Sequence, residues 1–259
     1  MSSSTRVLSD FVLEGLGLRY TIRVEAPFPA KHASAPWPVL LCLDGDDQFE
    51  VLRQERAMRE NQMTLPPLLL VGIGYGASYQ EPGNRRVRDY TPCPIEGAPD
   101  GGGAEAFLAF LIDRLWPELE RRFPVATDTR GIAGHSLGAL FALHALFRPA
   151  PFFNRVLASA PSIWWGERAV LHAASALHAI GGELRARLFL GVGARDSDSM
   201  TGDLDLLEAR LAALPFPGLE VGTARFEGKN HYTSIHPGFR AGLEFLYPAG
   251  TVRAPGATA

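Results

Sequence analysis

Gly134-His135-Ser136-Leu137-Gly138 constrains this chain more than any other stretch. The five residues match the G-x-S-x-G nucleophile elbow, in which a serine sits on a sharp turn between a strand and a helix. The flanks fit that reading. Thr129 to Ala133 is strand-like, and Ala139 to Phe147 combines good helix formers with apolar residues at helical spacing. Such a turn forces the serine into a strained backbone, exposes its hydroxyl and aims a helix N-terminus at it. Side chains at the two glycine positions would collide with the neighbouring strand or helix.

A free serine hydroxyl is hardly ionised near neutral pH, so a catalytic Ser136 needs a base. Elbows of this kind are followed in chain order by an acid and then a histidine. Of the seven histidines, His231 and His236 follow the last expected strand. His231 lies in the polar run Gly228-Lys229-Asn230-His231-Tyr232 directly after that strand and is the first choice; His236 is the alternative. The acid belongs just past a strand at Arg187–Val192, on Gly193-Ala194-Arg195-Asp196-Ser197-Asp198. Asp196 is preferred, Asp198 comes next, and a Ser–His dyad without an acid is the remaining option. The acid accepts the imidazole N–H, fixes the tautomer and stabilises the imidazolium. An oxyanion hole needs two backbone N–H groups. Leu137, after the nucleophile, supplies one. The second comes from Asp44-Gly45-Asp46-Asp47, with Asp46 preferred over Gly45.

The coarse pattern is that of an α/β protein. Residues 18–26 alternate as a half-exposed strand, with 10–14 as a pairing partner. Val39–Leu43 and Pro67–Ile73 are continuous apolar runs, as expected of strands buried on both faces. Gln48 to Gln62 reads as a charged helix, and Ala104 to Phe123 as a long amphipathic helix that Pro117 should kink. Between them, Tyr75 to Gly103 has no periodicity and reads as a binding loop or lid. Later strands are expected at about 155–160, 187–192 and 219–226, with helices at about 167–180, 204–214 and 238–247. Alternation of strands and helices implies a mostly parallel sheet with helices on both faces. No repeat or linker divides residues 1–259, so one domain is expected, with a frayed tail from about 250.

Composition narrows the partners. At 259 residues, 46% hydrophobic and 20% charged, the chain has a globular makeup. A net charge of −3 gives no electrostatic case for nucleic acid. Cys42 and Cys93 are too few for a disulfide framework or a metal cluster, and no cofactor or metal is expected. The N-terminus shows no secretory signal and no run is long enough to span a membrane, so a cytoplasmic location is expected.

Four segments carry a resemblance to a known family. They are Leu43-Asp44-Gly45-Asp46, Arg85-Arg86-Val87-Arg88-Asp89-Tyr90-Thr91-Pro92, the elbow from Ala133 to Gly138, and Ser159-Ala160-Pro161-Ser162-Ile163-Trp164-Trp165. With His231, they resemble the esterase-D-like α/β-hydrolases, which include siderophore esterases acting on trilactone iron chelators. The Trp-Trp string is most similar to that branch. The resemblance implies an α/β-hydrolase fold and a serine hydrolase of small-molecule carboxylic esters, with a lactone of the siderophore type as favoured substrate. A general carboxylesterase or thioesterase, an acyltransferase and a non-catalytic binding module are the alternatives. The family's acid is commonly Glu, where this chain offers Asp196.

Arg85, Arg86 and Arg88 suit anionic ligands, because a guanidinium pairs bidentately with them. At least one of the three is expected to bond loop carbonyls or Asp89 instead. Trp164 and Trp165 should lie near the carboxyl edge of the sheet, where ligands bind in open α/β sheets. Adjacent residues rarely face the same way, so one is expected to line the site and the other to fill core.

Overall fold

The computed structural model describes residues 8–27, 36–61 and 65–248. The expected tail from about 250 lies outside the described residues. Eight strands form one sheet: β1 (Leu8–Gly15), β2 (Leu18–Glu25), β3 (Trp37–Cys42), β4 (Leu69–Gly74), β5 (Val125–His135), β6 (Arg155–Ser159), β7 (Ala186–Gly193) and β8 (Leu219–Phe226). Their order is β1-β2-β4-β3-β5-β6-β7-β8. β1 and β2 form an antiparallel hairpin and β2 runs antiparallel to β4. Every other neighbouring pair is parallel.

Helices cover both faces, which explains why the central strands are apolar throughout. In β3, Val39 and Leu41 join one core while Leu40 and Cys42 join the other. The second core is closed by α1 (Phe49–Asn61) and α8 (Ile235–Leu246), through Phe49, Leu52, Phe239 and Leu243. The first is closed by α2 (Arg86–Tyr90), α3 (Ala104–Phe110), α4 (Trp116–Arg122), α5 (Leu137–Leu146), α6 (Trp165–Ala179) and α7 (Asp198–Ala213). α5 is buried along nearly its whole length, which explains why it lacks a polar face.

The break expected at Pro117 takes a specific form. Between α3 and α4 the chain forms a π-helical turn, Leu111–Leu115. Proline supplies no N–H and its ring crowds the carbonyl four residues back; a widened turn absorbs both problems while keeping Leu111 and Leu115 buried.

Several boundaries differ from expectation, three of them for a clear reason. The long loop contains α2, five residues that are too short to show a period. α7 begins at Asp198 rather than near 204, because Met200 is the one apolar residue of its first turn and writes no period. α8 begins at Ile235, ahead of Pro237. Proline is tolerated there because first-turn N–H groups have no intrahelical acceptor.

The chain leaves β3 for β4 on one side and later returns to place β5 on the other. Loops at the carboxyl ends of β3 and β5 therefore diverge and leave a crevice, the usual ligand position in open α/β sheets. The Asp44 turn and the elbow both open onto it.

Candidate active site

The elbow has the strain its sequence implies. Ser136 lies at φ 58°, ψ −118°, a region that side chains rarely adopt. A Cβ at Gly134 would overlap the Gly138 carbonyl, so the turn can be this tight only with glycine there. The Ser136 amide donates to Ser159 O at 3.0 Å, tying the nucleophile loop to β6. Leu137 opens α5, so its N–H has no acceptor within the helix. The Ser136 hydroxyl lies 3.2 Å from the hydroxyl of Ser162, and the Ser162 amide donates to Ser136 O. Sequence reasoning assigned Ser162 no role. Its only signal was membership of the Pro-Ser-Ile-Trp-Trp string.

The loops after β7 and β8 are packed as one unit. A Cβ at Gly193 would strike the Lys229 carbonyl, while Ala194 N donates to Phe226 O and Arg195 N to Lys229 O. This arrangement brings His231 Nδ1 within 2.8 Å of Asp196 Oδ2. The other Asp196 oxygen accepts the Ser197 amide at 2.8 Å. The Asp196 carboxylate is 5% exposed, shielded behind the imidazole. The alternatives lie elsewhere. Asp198 is exposed on the first turn of α7, and His236 on α8 bonds Glu55 at 3.1 Å.

His135 packs against His231, their ring centres 4.5 Å apart. Its Nδ1 meets the Ser159 hydroxyl at 3.1 Å, and its Nε2 has no protein partner among the described residues. Burial pushes the His135 pKa well below the ordinary histidine value, and the nearby His231 and Arg86 act in the same direction. The ring is therefore neutral where it packs against His231.

In the turn after β3, Asp44 takes φ 51°. A Cβ at Gly45 would come within 2.8 Å of the Ile73 backbone, so glycine lets the turn lie on β4. The Asp46 carboxylate accepts amides of Tyr75 and Gly76 at 2.6 and 3.1 Å, fixing the loop after β4. Its own amide makes no intramolecular hydrogen bond among the described residues.

The three loop arginines separate. Arg86 makes a bidentate pair with buried Asp44, at 2.8 and 2.9 Å. Burial raises the Asp44 pKa, and Arg86 offsets part of that rise. Arg85 is exposed and donates to the carbonyls of Pro82 and Asn84, outside the cavity. Arg88 bonds Asp89 and the Tyr20 hydroxyl and anchors the β1–β2 hairpin. The tryptophans also separate. Trp165 is buried and its indole donates to Cys93 O at 2.7 Å, whereas Trp164 is 42% exposed. Neither borders the cavity that contains Ser136.

That cavity has a volume of about 190 Å³, and its walls include Ser136, His231, His135, Arg86, Gln48 and Tyr79. A larger open cleft of about 810 Å³ beside the β1–β2 turn has Glu14, Arg19 and Arg114 on its walls but no paired nucleophile and base. The smaller cavity is where a strained serine and a carboxylate-oriented imidazole meet, with the Leu137 amide next in the chain. Those are the parts required for acyl transfer through a serine ester. Among the described residues no group of three or more His, Cys, Asp or Glu side chains is arranged to hold a metal ion. No helix among them is long and apolar enough to cross a membrane.

A family model described as putative esterase matches residues 14–233. The chain belongs to this esterase family. The chain is 36% identical over 178 residues to the siderophore triacetylfusarinine C esterase of Aspergillus fumigatus, a match covering 64% of this chain and 60% of that one. It is 29% identical over 236 residues to the ferri-bacillibactin esterase BesA of Bacillus subtilis, covering 83% and 81%. Among solved structures it is similar to the BES protein from Bacillus cereus, with a TM-score of 0.82, 28% identity and coverage of 95% and 96%. The esterase fold is accordingly the α/β-hydrolase fold, with the mostly parallel sheet expected from the sequence.

Proposed function

We propose that this esterase cleaves its substrates through an acyl-enzyme on Ser136, with His231 as base and Asp196 as the acid that orients it. The observation that carries the reading is the 2.8 Å bond between His231 Nδ1 and Asp196 Oδ2, made on the wall of the cavity that holds Ser136. With Nδ1 engaged, Nε2 is the nitrogen left to take the Ser136 proton. Attack on the ester carbon places negative charge on the carbonyl oxygen, and the amides of Leu137 and Asp46 receive it. The C–O bond to the alcohol then breaks as His231 returns the proton to the leaving oxygen. Water repeats the sequence and releases the acid.

For the natural substrate we infer an ester-linked iron chelator of the siderophore class. Support comes from the names of two relatives, a siderophore triacetylfusarinine C esterase of Aspergillus fumigatus and a ferri-bacillibactin esterase of Bacillus subtilis. A cavity of about 190 Å³ admits an acyl group and the adjoining ester, not a whole macrocycle. The remainder of such a ligand would lie outside, near exposed Tyr232 beside His231 and near Trp164, two residues beyond Ser162. Arg86, on the cavity wall, is suited to an anionic or carbonyl oxygen. The same volume suits short-chain esters, so both classes belong in the test.

The test is hydrolysis of p-nitrophenyl acetate and of a catecholate trilactone by wild type and Ser136→Ala. Serine-dependent cleavage of both, with kcat/KM far higher for the trilactone, is expected. Cleavage of the acetate alone would discard the siderophore assignment and keep the mechanism. A folded wild type that cleaves neither and resists a fluorophosphonate would refute the mechanism.

A further inference from the structure

Ser162 is held against the nucleophile by an unusual stretch of backbone. Ala160 takes φ 43°, a left-handed conformation rare for a residue with a side chain. Its amide donates to Gly191 O, and Pro161 follows. Beyond Trp165 the chain makes three successive left-handed residues, Gly166, Glu167 and Arg168, two of which carry side chains. Strain of this kind persists only where surrounding structure enforces it, and it concentrates at functional sites. Between these two strained points lies Ser162, buried to 2% exposure. It grips Ser136 twice, amide to carbonyl and hydroxyl to hydroxyl, each at 3.2 Å.

The direction of the hydroxyl contact follows from the neighbours. Asp196 engages His231 Nδ1, and on the acyl-enzyme reading the remaining nitrogen, Nε2, takes the Ser136 proton. Ser136 therefore cannot give that proton to Ser162 and still be activated, and the Ser162 hydroxyl must be the donor. No other acceptor for it is present among the described residues.

From this, and resting on the acyl-enzyme reading above, we propose that Ser162 is a catalytic residue that stabilises Ser136 Oγ as a leaving group during deacylation. In the acyl-enzyme, Oγ is an ester oxygen and a poor acceptor. Water attacks the acyl carbon as His231 Nε2 takes its proton. When the tetrahedral intermediate collapses, the C–Oγ bond breaks and its electron pair moves to Oγ. The Ser162 O–H then donates to a strongly basic oxygen until His231 returns the proton, leaving free serine and the carboxylic acid. The bond thus strengthens toward the transition state, the condition for a rate effect. In acylation the attacking Oγ also gains charge as His231 takes its proton, but it already accepts this bond in the free enzyme, so the bond strengthens less than in deacylation.

The experiment is rapid-mixing hydrolysis of p-nitrophenyl acetate by wild type, Ser162→Ala and Ser162→Thr, with intact-mass detection of acetyl-enzyme and thermal unfolding as a control. Ser162→Ala should keep a fast burst and lose roughly 10- to 100-fold in the steady-state rate, the range for one hydrogen bond to a charging oxygen. Acetyl-enzyme should accumulate, and Ser162→Thr, which restores the hydroxyl, should recover most of the rate. Deacylation within about twofold of wild type in folded Ser162→Ala, or equal slowing of burst and steady state, would overturn the proposal. If Ser162→Ala is unfolded, Ser162→Cys, a weaker donor of similar size, must slow deacylation selectively or the proposal fails. A wild type that never acylates would instead overturn the hydrolase reading beneath it, an outcome visible in the same traces.

Discussion

Replacing Asp196 by Asn tests the acid where its geometry is most informative. The wild-type carboxylate accepts from His231 Nδ1 at 2.8 Å with one oxygen and from the Ser197 amide with the other. Asn keeps the second bond and inverts the first, because its NH₂ group faces Nδ1 as a donor. His231 must then carry its proton on Nε2, pointing at Ser136, and cannot act as base. Loss of a charge-assisted bond alone is worth about 1.5–3 kcal/mol, or roughly 10- to 150-fold in rate. Tautomer inversion adds to this, as in the serine protease triad, where the equivalent change costs about 10⁴. We therefore expect kcat on p-nitrophenyl acetate to fall by roughly 10²–10⁴ with KM nearly unchanged, since the carboxylate is shielded behind the imidazole. The Tm should move by no more than about 2 °C. Asp198→Asn is the control and should stay within about twofold of wild type. A kcat for Asp196→Asn within about fivefold of wild type would refute the orienting role and leave a dyad.

Arg86→Met strands the buried Asp44 carboxylate. Breaking a buried pair this way costs about 3–5 kcal/mol, a fall in Tm of roughly 6–20 °C by calorimetry. An unchanged Tm would mean that Asp44 is already protonated. Ser136→Gly relieves the φ 58° strain, worth about 1–3 kcal/mol, less the entropy cost of glycine. The inactive variant should melt roughly 2–4 °C higher, a rise that Ser136→Ala will not reproduce. Glu55 is 1% exposed and bonded to His236 and Arg240. Burial alone would raise its pKa, but those bonds lower it below the ordinary value of 4.5. Its stabilising contribution is therefore present above pH 4.5 and is lost as pH falls through the depressed folded value. Glu55→Gln should lower Tm at pH 7 and flatten its decline below pH 4.5, as measured by scanning fluorimetry.

Legibility in the sequence followed the range of the interactions involved. Strands such as Val39–Leu43 could be read because burial on both faces writes a continuous apolar run. The elbow could be read because its steric demand falls on glycines four residues apart. The sorting of Arg85 from Arg86 could not. It depends on one turn of α2 directing Arg86 to a carboxylate 42 positions away. Trp165 was likewise sorted from Trp164 by an indole bond to Cys93 O, across 72 positions. The early start of α7 had a local signal, Ser197 before Asp198, which favours a helix N-terminus even where apolar periodicity is missing. Ser162 gave no signal of its own, since a serine in a Pro-Ser turn looks like any other turn serine.

The zipped loops after β7 and β8 divide the machinery by mechanical address. Ser136 projects from the middle of the sheet, whereas His231 is carried at the rim, behind an edge strand whose residues are all at least partly exposed. Because Asp196 and His231 are tied to each other through Gly193, Arg195 and Lys229, they move as one jaw. Gentle heating or dilute denaturant that loosens the rim would swing that jaw away from the serine while its own hydrogen bond stays closed. Turnover would then stop well before the core melts, and cooling would restore it without refolding.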